Sequence, residues 1–202
     1  MLTIEKNGWC KAAEKLPSPN YDVRQPDVPV DLIVVHNISL PPDEYGGPYI
    51  ADLFLNRLDY DAHPYFDQLR SLRVSAHFLI RRGGELVQFV SANDRAWHAG
   101  ASEFCGRMQC NDFSIGIELE GSDHEPFTDS QYAVLTELTS ALCLRYPISA
   151  VTGHQQIAPS RKTDPGPYFD WKRYETGVQT ASGPCPVFFG AALRSKSSAR
   201  KY

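Results

Sequence analysis

Three residues in this sequence have the types needed to hold a metal between them. His36 lies near the end of the run Val30 to Ile38 (VDLIVVHNI), His154 closes Val151-Thr152-Gly153-His154, and Asp164 sits in Lys162-Thr163-Asp164-Pro165-Gly166-Pro167. Two imidazoles and a carboxylate suit a catalytic zinc, which takes three protein ligands and keeps its fourth position open for water. A histidine taken alone is more often a satisfied structural or surface group, so the residues by themselves leave this reading open. A second chemical element is a carboxylate on the stretch Ser114 to Glu120, where Ile115, Ile117 and Leu119 alternate with Ser114, Gly116, Glu118 and Glu120. Strand periodicity puts the apolar set on one face and the polar set on the other, so Glu118 and Glu120 are equal candidates for acid/base work. Familiar hydrolase and nucleotide signatures are missing: the chain contains no HExxH, GxxxxGK[ST], GxSxG or GxGxxG.

The elements that must position these groups are legible in outline. Val30 to Ile38 is a β-branched run between Pro26 to Pro29 and Pro41-Pro42, as expected of a buried strand carrying His36 near its C-terminal end. The segment SLPPDEYGGPYI is too rich in Pro and Gly for regular structure and predicts a semi-rigid loop at a cleft lip. Ile50 to Leu58 has helical spacing. Ser75 to Arg82 and Glu85 to Val90 flank Gly83-Gly84 and predict an antiparallel hairpin. Thr128 with Gln131 has capping-box form ahead of a helix running to Tyr146, with Leu135, Leu138 and Leu142 on one stripe. Asp170 is placed to cap a further short helix through about Thr176, and from Gly183 onward regularity fades into a basic tail with Arg194, Lys196, Arg200 and Lys201. Strands interspersed with helices imply an α/β fold around a mixed sheet.

Composition narrows the function classes. The chain has 202 residues and a formal net charge of −4, enough for one domain and unsuited to gripping a phosphate backbone, so neither nucleic acid nor a second full domain is expected. The longest aliphatic run, Leu32 to Val35, is far short of a membrane span, and charges at Glu5, Lys6, Lys11, Glu14 and Lys15 interrupt any secretory h-region. The expected setting is therefore cytoplasmic, with no membrane partner. Five scattered cysteines read as reduced thiols, and a Cys105/Cys110 clip lacks a second pair to complete a tetrahedral site.

The segments LIVVHNISLPP, HPYFDQLRSLRVSAHFLIRRGGELVQFV, RAWHAG, CNDFSIGIELEG, TGHQQIAP and RKTDPGP occur together and in this order. With them the sequence resembles the AmpD-type 1,6-anhydro-N-acetylmuramoyl-L-alanine amidases over about Gly8 to Trp171. The resemblance implies a single α/β domain of the type shared with peptidoglycan-recognition proteins, its mixed central sheet flanked by helices. Residues 1–28 would form an N-terminal extension packed on the domain, 29–171 the zinc amidase domain, and 172–202 a helix end and a flexible tail. It implies one Zn2+ per chain on His36, His154 and Asp164, an acid/base role for Glu118 in preference to Glu120, and a cationic stabiliser at Lys162. It also implies an anhydromuramyl-peptide substrate, cleaved between the lactyl group and L-alanine by a monomer during cytoplasmic recycling of cell-wall fragments.

The local chemistry agrees with those positions. Asp164 precedes Pro165, which biases it toward extended backbone and puts Lys162 and Asp164 on one side of the chain. Candidate substrate contacts are Asn37 beside a ligand, Trp97 for stacking on the sugar, and Arg73 or Arg107 for peptide carboxylates. Gln109 stands where related amidases lead one to expect a basic residue, which shifts that contact toward Arg107. His77 and His98 read as structural hydrogen-bonding groups, and His63 and His124 as loop residues. Rival readings are an envelope or phage-type amidase acting on intact wall and a muropeptide-binding module without catalysis. The presence of all three ligands, Glu118 and Lys162 argues against the latter.

Overall fold

The computed structural model describes residues 1–181 and 183–190. In chain order it contains β1 (Glu14–Lys15), β2 (Tyr21–Val23), β3 (Leu32–Ile38), α1 (Tyr49–Phe54), a 3-10 helix at Pro64–Leu69, β4 (Phe78–Ile80), β5 (Leu86–Gln88), β6 (Asp94–Ala96), β7 (Glu103–Phe104) and β8 (Arg107–Met108). There follow a 3-10 turn at Cys110–Asp112, β9 (Ser114–Glu120), α2 (Asp129–Arg145), β10 (Ala150–Gly153), α3 (His154–Ile157), α4 (Trp171–Thr180) and β11 (Val187–Phe189). Among the described residues seven strands make one mixed sheet in the order β1-β5-β4-β9-β3-β10-β11, within which only the β4/β5 hairpin pairs antiparallel. The basic tail expected beyond Gly190 lies outside the described residues.

Alternation along β3 and β9 divides the core. Ile33, Val35, Ile115, Ile117 and Leu119 face α2 and α4, packing with Leu135, Leu138, Leu142 and Tyr174. Leu32 and Val34 face the other way onto Ala99, Phe113 and Ile157, and farther along that side Leu79 and Val87 pack with Ile50, Leu53, Phe54 and Phe66. His36 shares the parity of Leu32 and Val34, and register pairs it with Glu118 on β9. Two site residues thus start from adjacent strands on one face.

The expected polar face of Ser114 to Glu120 is not exposed: all seven residues are buried. β9 is an interior strand, parallel to both neighbours and covered on both sides, a setting in which an amphipathic pattern no longer means half-solvated. Its polar side chains are held by partners instead. Glu120 accepts from Gly46 N at 2.8 Å and from Arg81 and Arg82 N at 3.2 Å, and Ser114 Oγ donates to Cys110 O.

Other boundaries shift for local reasons. The helix expected over 50–58 stops at Phe54, because Asn56 takes a left-handed φ of 57°. The capping box forms as read: Thr128 Oγ1 accepts from Gln131 N at 3.1 Å and Gln131 Oε1 accepts from Thr128 N at 3.0 Å. Gln131 also donates to Ile80 O and Glu120 O, so the cap of α2 ties the helix to two strand ends. α4, capped by Asp170, runs past the expected Thr176 to Thr180. β11 adds a parallel edge strand where no order was expected, and its three residues after Pro184 and Pro186 are too few to show a period. The N-terminal segment likewise supplies β1 to the main sheet and β2 to a small sheet with β6. Among the described residues no helix is long and apolar enough to cross a membrane.

His77, at the start of the β4 segment, is buried with its tautomer fixed: Gly116 N–H donates to Nδ1 at 3.0 Å, and Nε2–H lies 3.0 Å from Asp94 O. Burial, with Arg24 close by, lowers its pKa to about 3. Below the ordinary value of about 6.5 the unfolded chain takes up a proton that the native chain refuses, so stability present above that pH is lost as pH falls toward the native value. Urea denaturation of metal-free protein should show wild type losing about 2 kcal/mol more than His77→Asn between about pH 7 and about pH 5.

Candidate metal centre

Three different elements deliver the predicted ligands. His36 is near the end of β3, and β10, which runs parallel beside β3, ends at Gly153 so that His154 opens α3 immediately after it. Asp164 comes from the turn after α3, anchored by Gln155 N donating to Asp164 O at 2.8 Å. Gly153 allows the close approach: a Cβ there would lie 2.5 Å from Pro165 Cδ. Asn37, a predicted substrate contact, donates its amide to Asp123 Oδ1 at 2.8 Å and to Pro165 O at 3.1 Å. Its side chain is engaged in holding the Asp164 turn.

All three ligands are buried. His36 Nδ1 lies 2.9 Å from Asp164 Oδ2 and 3.0 Å from His154 Nδ1, and His154 Nδ1 lies 3.0 Å from the same oxygen. Their hydrogen-bond partners fix where the protons are. Ser114 Oγ–H points to Cys110 O, a pure acceptor, so Ser114 Oγ accepts from His98 Nε2–H at 3.2 Å. His98 Nδ1 is then bare and accepts from His36 Nε2–H at 3.0 Å. On the other side His154 Nε2–H donates to Ala99 O at 3.1 Å. In neutral rings both Nδ1 lone pairs therefore face each other and a carboxylate oxygen. Burial, then the neighbouring His154, lowers His36 to about 4, which keeps its ring neutral near pH 7. Three converging lone pairs with no proton among them need a cation, and two imidazoles with one carboxylate are borderline donors suited to a divalent transition metal.

The ligands open onto a cavity of about 460 Å³ that also takes in Glu118, Lys162, Trp97 and Arg73. Glu118 is buried, and its Oε2 and Arg24 Nε are, among the described residues, the buried side-chain polar atoms without a partner. Desolvation, reinforced by Asp164 and opposed by Lys162, raises the Glu118 carboxyl well above its ordinary value. Glu120, the other candidate from the strand pattern, has both oxygens occupied. The Trp97 indole N–H is committed to Asp22 at 2.7 Å, and Arg73 is exposed and bonded to the carbonyls of Arg70 and Leu72.

Arg107 does not join them. It lies on the β7/β8 hairpin, paired with Asp31 at 2.7 Å and stacked 3.7 Å over the Phe113 ring, so its charge is neutralised away from the cavity. Gln109 lines a separate depression with Asp22, Arg95 and Asp112. The cation that does line the cavity and that sequence reasoning passed over is Arg161, whose only signal is its place beside Lys162. Cys105 is exposed and Cys110 buried, both free thiols, and they form no ligand cluster among the described residues.

A profile described as N-acetylmuramoyl-L-alanine amidase matches residues 26–167. The 1,6-anhydro-N-acetylmuramyl-L-alanine amidase AmpD of Citrobacter freundii is 57% identical over 177 residues, covering 87% of this chain and 95% of that protein. AmpD of Escherichia coli is 57% identical over 175 residues, covering 86% and 96%. A crystal structure of a selenomethionine derivative of AmpD superposes with a TM-score of 0.84 at 55% identity, covering 88% of this chain and 99% of that one. A more distant likeness, with a TM-score of 0.53 and 26% identity over 87% of this chain and 65% of the other, is to Escherichia coli AmiD in complex with anhydro-N-acetylmuramic acid-L-Ala-D-γ-Glu-L-Lys.

The lone-pair arrangement predicts that metal-stripped protein takes up one divalent transition-metal ion per chain, whereas Asp164→Ala retains well under one. Mass spectrometry of metal content after gel filtration measures both.

Proposed function

The chain belongs to the N-acetylmuramoyl-L-alanine amidase family, and we propose that it hydrolyses the amide between the lactyl group of 1,6-anhydro-N-acetylmuramic acid and L-alanine, in cytoplasmic recycling of peptidoglycan fragments. The observation that carries this reading is a buried three-atom ligand cluster and an unpartnered carboxylate oxygen opening onto one cavity, in a chain 57% identical to a named anhydromuramyl amidase. The anhydromuramyl peptide found with AmiD supports the substrate class.

His36, His154 and Asp164 would hold one Zn2+. When bound, such an ion polarises a carbonyl and lowers the pKa of a water toward about 7. The work of the chain's own groups follows from their environments. Glu118 accepts at Oε2 the proton that the attacking water sheds, then returns it to the alanine nitrogen as the carbon–nitrogen bond breaks. Its burial raises its proton affinity, which suits a group that must both take and give a proton near neutral pH. Lys162, half-buried at the same cavity, places its ammonium near the carbonyl oxygen that gains negative charge. Trp97 and Arg73 line the same cavity, the indole offering its ring for stacking on a sugar while its N–H is held by Asp22.

Release of tripeptide from anhydromuramyl-tripeptide tests this. Wild type should cleave, stop on chelation and recover with zinc. Folded, zinc-loaded protein that fails to cleave would overturn the proposal. Glu118→Gln should keep its zinc and lose at least about 100-fold in turnover. Lys162→Ala should lose roughly 10²–10³-fold.

A further inference from the structure

One short loop touches both imidazoles of the ligand set. It follows β6 and carries His98 and Ala99, and its backbone is pinned by Asn111, whose Oδ1 accepts from His98 N at 3.1 Å and Ala99 N at 2.8 Å. The Ala99 carbonyl lies 3.1 Å from His154 Nε2 and also accepts from Arg161 Nη2 at 3.0 Å. The His98 ring meets His36 edge-on, centroids 5.1 Å apart at 84°, with its Nδ1 3.0 Å from His36 Nε2.

The ring has little freedom to do anything else. Its Nε2 is 3.2 Å from Ser114 Oγ, and that hydroxyl is oriented by Cys110 O. Its flat side lies on the backbone of β9 at Gly116, where a Cβ would sit 2.4 Å from His98 Cγ. That contact explains a glycine in the middle of an interior strand, where it otherwise weakens pairing and packing. The chain from Cys110 O through Ser114 and His98 therefore ends in an acceptor that only the Nε2–H form of His36 satisfies.

We propose that His98 is a positioning residue for His36: by accepting the Nε2 proton it fixes the ring and its tautomer, so that Nδ1 is presented bare to the metal, with Gly116 as the platform that lets the ring lie there. This rests on the reading of His36, His154 and Asp164 as a zinc site. Without the acceptor, His36 would divide its proton between its two nitrogens, and the Nδ1–H form cannot bind metal. Such outer partners are commonly worth 10- to 100-fold in metal affinity.

The test compares wild type, His98→Ala, His98→Asn and Gly116→Ala. Zinc affinity is measured by chelator competition, and the proton position on His36 by two-bond proton–nitrogen spectra of the metal-free protein. His98→Ala should bind zinc about 10- to 100-fold more weakly and show mixed tautomers at His36. His98→Asn restores an acceptor oxygen near the Nδ1 position and should come back to within about threefold of wild type with Nε2–H retained. Gly116→Ala displaces the ring without altering its chemistry and should weaken zinc binding too, keeping the question open to measurement if His98→Ala fails to fold. A packing role alone would lower the melting temperature of the metal-free Ala variant while zinc affinity and the tautomer stayed put, and that result would overturn the proposal. Equal impairment of the Asn and Ala variants would also overturn it. A wild type that binds no zinc would sink the metal reading itself, and the tautomer spectra would then judge the His98 contact separately.

Discussion

Two imidazole nitrogens and a carboxylate oxygen on buried side chains, each about 3.0 Å from the others, repel one another unless positive charge lies among them. Much of the surrounding architecture can be understood as the means of holding that arrangement. Parallel strand β10 ends at Gly153 opposite Val35 of β3, so His154, the next residue, starts beside His36. The turn carrying Asp164 is folded back against Gly153 and tied to Asn37. A buried site of this kind is costly to assemble from unconnected loops. Here it is referenced to the interior of a sheet packed on both faces.

The same interior strands settle the difference between two glutamates that the chain places two residues apart. Glu120 lies where Arg81, the Arg82 backbone and the lip at Gly46 can all reach it, and its carboxylate is consumed in joining the hairpin to that lip. Glu118 lies one pleat earlier, beside His36 in register, where the cavity wall supplies no donor for one of its oxygens. An uncompensated buried carboxylate is unfavourable for folding and useful for proton transfer. Helix α2 braces this geometry from the far side, because Gln131 both closes its own capping box and bonds the carbonyls of Ile80 and Glu120.

Charges follow a similar division between those fixed in structure and those left facing the cavity. Arg107 is spent on Asp31 and Phe113, whereas Lys162 and Arg161 line the cavity. Arg161 is itself partly engaged, donating to the carbonyls of Ala99 and Ala101, and so stiffens the loop that orients His154. Polar groups at this centre thus serve in layers, and the outer layer is nearly as closely specified by hydrogen bonds as the inner one.

The class of fold, the strand that carries His36, the β4/β5 hairpin, the capped helix α2 and the segments by which the family is recognised are all legible in the amino-acid order. Each of these is local: alternation, a Gly-Gly turn, a Thr128/Gln131 box, a string of matched motifs. That order also singled out His36, His154 and Asp164 as candidates, because their types and flanking motifs are visible without folding the chain. The remaining features depend on contacts between distant parts of the chain. Burial of all of Ser114 to Glu120 depends on which strands lie either side of β9, a long-range fact that periodicity does not encode. The edge strand β11 is ordered by β10 and too short to show a pattern of its own. The fates of Arg107 and Arg161, and the place of His98 against His36 and Gly116, were set by groups far apart in the chain, since hydrogen bonds and close approaches are made in space and leave no spacing for the sequence to show.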